Sequence, residues 1–294
     1  AASSGGRPVP VHRRRARAPR EDDMKNIYVL LTTMLRGHRH VNPDIYLAAN
    51  AELLFCTIII SLVITYLFND QALYKNGIRD MVGYNNPCVF WDEPPALYFA
   101  ALFFSPMAYF AIRYAVLDTQ RAWLTPGLSS AWKQAILIVN FYYALSQCVN
   151  CLIFVVTPND GNFTHMRMHS AFFLQLVPSL GVCMCMNYLE GWAAGVKVYP
   201  YQWAILAVAM TFTTLETFMA AIAVFGWGGY QDDGTPSPPV FPPLLMQIVD
   251  WGWFCTLPLV SSFDPPAPII KIDIAIEDPD EVPQTDEETA PIKP

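Results

Sequence analysis

Residues 47–68 read LAANAELLFCTIIISLVITYLF. About 20 mostly apolar residues in helical form cross the hydrocarbon core of a bilayer, and this run meets that length. Five more runs do the same: 95–117 (PALYFAALFFSPMAYFAIRYAVL), 133–156, 168–189, 201–227 and 243–263. In lipid the backbone has no water to bond, so runs of this length are helices. The reading is an all-α, six-span integral membrane protein, a bundle of transmembrane helices. The last run is the shortest and contains Asp250. Pro95 and Pro243 stand where a first helical turn tolerates proline. Pro106, Pro178 and Pro258 fall inside spans and are expected to kink them. Trp91, Trp132, Trp192, Trp203 and Trp227 lie near span ends, where an interfacial aromatic belt belongs.

Composition agrees. The 294 residues are 53% hydrophobic and only 15% charged, with a mean hydropathy of +0.28; a soluble domain carries about 25% charged residues. The charge gathers at the ends. Residues 1–20 hold six arginines and no acid, whereas 264–294 hold nine Asp or Glu, two Lys and seven prolines. The chain therefore divides into a basic extension (1–44), the spanning domain (45–264) and an acidic, Pro-rich tail (265–294). With the N-terminus inside, fifteen of the eighteen Lys and Arg fall on the inner side, and only Lys75, Arg79 and Arg167 fall outside. The positive-inside rule thus puts both termini inside. The same topology places the sequon Asn162-Phe163-Thr164 on the outer face. The long outer loop 69–94, containing NNPCVFWDEPP, is expected to form a small cap there.

Chemistry inside the membrane is sparse. Of five histidines only His165 and His169, four apart at the entry to the fourth span, are placed to act there. A diheme carrier needs four ligands. A zinc hydrolase wants about three converging His or Asp ligands and a water, with Asp250 or Glu216 as the third. No metal and no cofactor are expected. Counting helical rise from the outer boundary, His169 lies about 6 Å deep, Asp250 about 9 Å and Glu216 about 16 Å. A His169–Asp250 pair would spare both groups isolated burial; alternatively His169 reaches back to the interface. Gln175 and Gln147 come to the depth of Glu216 and are candidates to hydrogen-bond it, making it an interhelical tie or, alternatively, a proton or ion site. The seven cysteines form no disulfide framework. Cys148-x-x-Cys151 inside an apolar helix reads as packing, because thioredoxin-type chemistry needs exposure and a lowered pKa.

Three stretches resemble the DRAM-like family of six-span eukaryotic membrane proteins. MAYFAIRYAVL (107–117) is similar to the end of that family's second span, FTHMRMHSAFFLQLVPSLGVCMCMNYL (163–189) to its fourth-span entry, and MQIVDWGWFCTLPLVSSFD (246–264) to its last span, with Asp250-Trp251 and Phe263-Asp264. Ser170-Ala171 stands where the family has Gly-Ala, and Arg167 where it has His. The resemblance implies a regulator of autophagy, lipid handling or membrane signalling.

The tails suggest a different role. Arg13, Arg14, Arg15, Arg17 and Arg20 suit anionic headgroups or a partner; an Arg-rich, acid-free beginning also resembles an organellar transit segment. The tail cannot bury a core of its own, and IIKIDIAIE (269–277) alternates so that it could add as a strand to a partner's sheet edge. No internal repeat, Gly-rich phosphate loop or nucleic-acid module is present, and no nucleic-acid partner is expected. Three functions follow. The first is a non-catalytic accessory subunit of a mitochondrial-inner-membrane type complex, in contact with lipids and neighbouring subunits. The others are a DRAM-like regulator and a small proton- or ion-coupled transporter using Glu216.

Overall fold

The computed structural model describes residues 26–36, 40–156, 163–225, 241–265 and 270–271. Six helices are long and apolar enough to cross a membrane. They are α2 (Asp44–Phe68), α4 (Ala96–Leu124), α5 (Ser130–Asn150, continued by a 3₁₀ turn over Cys151–Phe154), α6 (Phe163–Ala193), α7 (Pro200–Phe225) and α8 (Pro243–Ser262). Two short helices complete the set, α1 (Ile27–Arg36) before the first span and α3 (Gly77–Val82) in the outer loop. Consecutive spans pack side by side in the order α2, α4, α5, α6, α7, α8, and α8 returns to α2, closing a ring. This integral membrane bundle matches the six hydrophobic runs, with helices such as α4 and α6 extending past them at the inner end.

Each helix is apolar on all sides, as a membrane span must be. Leu102, Ile138, Phe141, Val208 and Phe218 stay exposed toward the lipid, while Ile58, Met107, Tyr143, Leu180 and Trp253 fill the centre. Lipid tails are as apolar as these side chains, so helices associate through close packing and polar contacts. Two glycines allow the closest approaches. A Cβ on Gly181 would stand 2.4 Å from the Thr213 methyl, and one on Gly252 would stand 2.3 Å from the Phe212 ring. These positions bring α6 against α7 and α7 against α8. The helices run on through Pro106, Pro178 and Pro258, and side-chain donors from neighbouring helices reach carbonyls close to two of them. Asn50 Nδ2 donates to the Met107 carbonyl at 2.7 Å, and Tyr142 Oη to the Gln175 carbonyl at 3.0 Å.

The segment before the first span meets a segment after the last. His40–Val41 (β1) pairs antiparallel with Ile270–Lys271 (β2), His40 opposite Lys271. The beginning of the IIKIDIAIE segment thus pairs within its own chain, not with a partner; its continuation lies outside the described residues. Helix α1 folds back along α2, and the Glu52 carboxylate accepts from the Ile27 amide at 2.8 Å. An acid at a helix N-terminus opposes the positive end of the dipole.

At the inner end the sequence reading needs a correction. Arg121 counts there as a flanking cation, but it is 2% exposed and sits inside the ring. Its Nη1 meets Asp44 Oδ1 at 2.8 Å, and its Nη2 donates to Asp118 and, at 3.0 Å, to Asn187 Oδ1. Its Nε lies 3.5 Å from Glu190 Oε1, an ion pair without hydrogen-bond alignment. Asn140 extends the cluster to α5 by donating to Asp118 Oδ2 at 2.8 Å, and Asn187 extends it to the end of α8 by donating to Asp264 Oδ2 at 2.7 Å. Removing one partner of such a buried network costs about 3–5 kcal/mol, because the remaining charges keep their desolvation penalty. Arg121→Leu is therefore expected to lower the unfolding midpoint sharply in mild detergent. Arg121→Lys should recover only part of the loss, since an ammonium lacks the planar fork that reaches three helices. Thermal unfolding of the two purified variants beside the wild type measures this.

Candidate functional site

The outer loop is a folded cap, built by side chains that replace missing backbone partners. Asn76 Oδ1 accepts from the Ile78 amide at 2.8 Å and starts α3; Gly83, in the left-handed region at φ 80°, ends it. Asn86 Oδ1 accepts from the Cys88 amide at 2.9 Å and starts a 3₁₀ turn over Pro87–Trp91. Thr65 on α2 donates to the Phe90 carbonyl at 2.6 Å, fixing the turn to the bundle. Trp91 is not an interfacial residue: it is 1% exposed and packs edge-on against Phe104 and Phe154. Burial pushes the Asp92 carboxyl well above the usual range, with the Asn76 amide pulling the other way.

Two cap residues reach down to an intramembrane acid. Tyr84 Oη donates to Asp250 Oδ2, and Asn86 Nδ2 donates to the same oxygen at 2.5 Å. Burial, then the Asp250 carboxylate, raises the Tyr84 phenol far above its ordinary value, so the phenol keeps the proton it donates. Asp250 thus pairs with the cap and not with His169. The reason is reach: a loop folded onto the bundle brings Tyr84 and Asn86 to the level of the second turn of α8.

Glu216, 8% exposed on α7, lies against Asp250. Contact between two carboxyl oxygens is attractive only when a proton or another donor stands between them. Neither Gln175 nor Gln147 bonds Glu216. Gln175 Nε2 donates to the Ser146 carbonyl at 3.0 Å, which ties α6 to α5; Gln147 is buried on α5 with its amide nitrogen unbonded. His169 is 3% exposed, and its Nδ1 stands 3.3 Å from the Val156 carbonyl. A carbonyl can only accept, so Nδ1 carries the hydrogen and the neutral ring presents Nε2 as an acceptor.

These groups line one cavity of ≈ 110 Å³ between α6, α7, α8 and the cap. Its polar side is Tyr84, Asn86, His169, Ser170, Glu216 and Asp250, and its apolar wall includes Phe173, Met219, Met246 and Phe254. Met219, Phe241 and Met246 are only half-buried, which marks the accessible side. Three residues of this lining each carry a buried atom outside the hydrogen bonds described so far, His169 Nε2, Glu216 Oε2 and Asp250 Oδ1, the last two belonging to the carboxyls that lie against each other. Buried polar groups are almost always satisfied. Among the described residues, no group of three or more His, Cys, Asp and Glu is arranged to hold a metal ion.

Sequence reasoning singled out Glu216, Asp250 and His169, which the cavity unites, and missed Tyr84 and Asn86. Their one signal was Asn-Asn-Pro beside an apolar Val-Phe-Trp, a turn with side chains to bury. Arg13, Arg14, Arg15, Arg17 and Arg20, and the Asn162 sequon, lie outside the described residues. The seven cysteines include no disulfide; Cys151 is half-buried, but Cys148 is exposed on the helix surface and is not packed as the sequence reading expects. Neither a family model, nor a curated protein, nor a solved structure matches the chain.

Cys88 gives a test of the cap. It is 6% exposed, and burial pushes its thiol far up, so it is both hidden and protonated. Only the thiolate reacts readily. Asn86→Ala removes the start of the 3₁₀ turn and one bond to Asp250. The variant should expose Cys88 to a membrane-impermeant maleimide applied from the outer side, while the wild type stays unlabelled. Peptide mass spectrometry at Cys88 reads the result.

Proposed function

We propose that this protein is a non-catalytic, ligand-binding membrane protein whose working site is the cavity under the outer cap, and that the ligand is an amphiphile. One observation carries the reading: three residues that each hold a buried polar atom without a donor from elsewhere line a cavity whose apolar wall includes three phenylalanines and two methionines. Sites for small molecules have this form, a mostly apolar cleft with a few placed polar groups. The cavity thiol favours binding over chemistry, since Cys88 stays protonated. A regulator that reports on membrane composition, as a DRAM-like protein would, could use such a site with its tails displayed on the opposite face. The Arg-rich head supports the mitochondrial inner membrane as its home and neighbouring subunits as partners of the tails; a glycan on Asn162 would exclude that compartment. For the binding reading, protein extracted in mild detergent is expected to carry a bound amphiphile in native mass spectrometry. Ala223→Trp, which fills the cavity from α7, should remove that added mass without lowering the yield of monodisperse protein. An identical adduct on both proteins would overturn the reading.

A second reading is favoured by the acid beside Glu216. An ionisable residue inside a span marks a candidate proton or ion pathway, and Glu216 has a second acid, Asp250, against it. Glu216→Gln is then expected to abolish flux in proteoliposomes, and unchanged flux would discard transport.

A further inference from the structure

We infer that the cavity binds the primary ammonium group of an apolar amine, with its three N–H donors directed at His169 Nε2, Glu216 Oε2 and Asp250 Oδ1. The inference rests on the amphiphile reading above and names the headgroup.

The unsatisfied atoms decide the chemistry. All three are acceptors: two carboxyl oxygens, and a ring nitrogen whose partner nitrogen already donates to Val156. On the same wall the Tyr84 hydroxyl and the Asn86 amide both serve Asp250 Oδ2, and the Ser170 hydroxyl adds a single donor, too few for three acceptors. A ligand must therefore bring hydrogens. A proton shared between Glu216 and Asp250 would serve the carboxyl pair alone and leave His169 Nε2 bare. An ammonium carries three donors and no acceptor, so it serves all three atoms. Its positive charge also offsets carboxyl charge in a low dielectric, where charge-assisted bonds are the strong ones.

Anions are a poor fit. Among the described residues lining the cavity there is no Lys or Arg, so a phosphate or carboxylate would meet carboxyls without a counter-charge. A hydroxyl donates once and leaves the carboxyl charge unopposed. The rest of the amine is apolar, because Phe173, Met219, Met246 and Phe254 form the wall, and methionine fits irregular chains.

Purified protein is incubated with dodecylamine, dodecyltrimethylammonium, dodecanol or dodecanoate, and retained ligand is measured after detergent exchange. Dodecylamine should be retained and the other three remain at background. The quaternary ion is the telling control, since it has the charge and tail but no N–H. Glu216→Gln and His169→Phe should each weaken dodecylamine binding by about tenfold or more, as expected for one lost charge-assisted bond. A readout on the wild type needs no variant. A carbodiimide joins a carboxyl to a nearby amine as an amide, taking up the water lost, so it should place a dodecyl amide on Glu216 or Asp250. Dodecylamine competing with phosphatidylethanolamine in nanodiscs would assign the ammonium to a phospholipid headgroup; absence of competition assigns it to a free amine. Equal retention of dodecanol or the quaternary ion, or an amide on neither acid, overturns the ammonium while leaving an amphiphile cavity standing. Retention of none of the four overturns both.

Discussion

The bundle depends on one guanidinium. Arg121 lies within the ring at the inner end and touches α2 through Asp44, its own helix through Asp118, and α6 through Asn187 and Glu190. The acids it holds pass the connection on, from Asp118 to Asn140 on α5 and from Asn187 to Asp264 beyond α8. The remaining span, α7, is fixed close by, where Gln202 Nε2 donates to the Phe263 carbonyl at 2.8 Å. In water such a network roughly breaks even against apolar residues of the same volume. In lipid the alternatives differ. Apolar helices slide and rotate against one another with little penalty, because hydrocarbon replaces hydrocarbon. A planar fork with fixed donor directions admits one register only. The cluster sets which faces of the helices look inward more than it sets how firmly they associate.

That register decides where the outer-end groups fall. With the inner ends fixed, α6, α7 and α8 run outward in close contact at Gly181 and Gly252. Outward of those glycines the three helices enclose space roofed by the cap. His169, Glu216 and Asp250 belong to three different helices and share a lining only because the register holds. The inner end is closed by charge and the outer end holds room.

The spans were legible because hydrophobic run length is a one-dimensional property. Glu216 was legible for the same reason: an acid in the middle of TFTTLETFMAA cannot avoid the bilayer. What failed was partner assignment. Asp118 and Arg121 look like ordinary interface charges at the end of a run, since nothing in the sequence states that Asp44 and Glu190 converge on them from residues 77 before and 69 after. Asp250 was matched to His169 because depth along a helix is computable from sequence while azimuth around it is not. Its true partners, Tyr84 and Asn86, lie in the stretch that reads as a cap, but nothing in its prolines and asparagines states that two of its side chains reach down to α8. The cap buries Val89, Phe90 and Trp91, and burying that apolar segment pulls its polar neighbours below the surface with it.

Asp250 then has two roles that its oxygens separate. Oδ2 accepts from both Tyr84 and Asn86 and holds the cap. Oδ1 has no donor and is buried with the cavity. A ligand donating to Oδ1 therefore need not displace the cap, and a cap held down through Oδ2 keeps the carboxyl plane aimed at the cavity. On the proposed reading, binding and capping would act through one carboxyl group: the bonds from the loop hold the acceptor before a ligand arrives, which would lower the ordering a ligand must impose. The same arrangement explains why the acid tolerates its depth. Burying a carboxyl is costly unless it is hydrogen-bonded, and the two cap donors satisfy one oxygen fully while the other stays available for function.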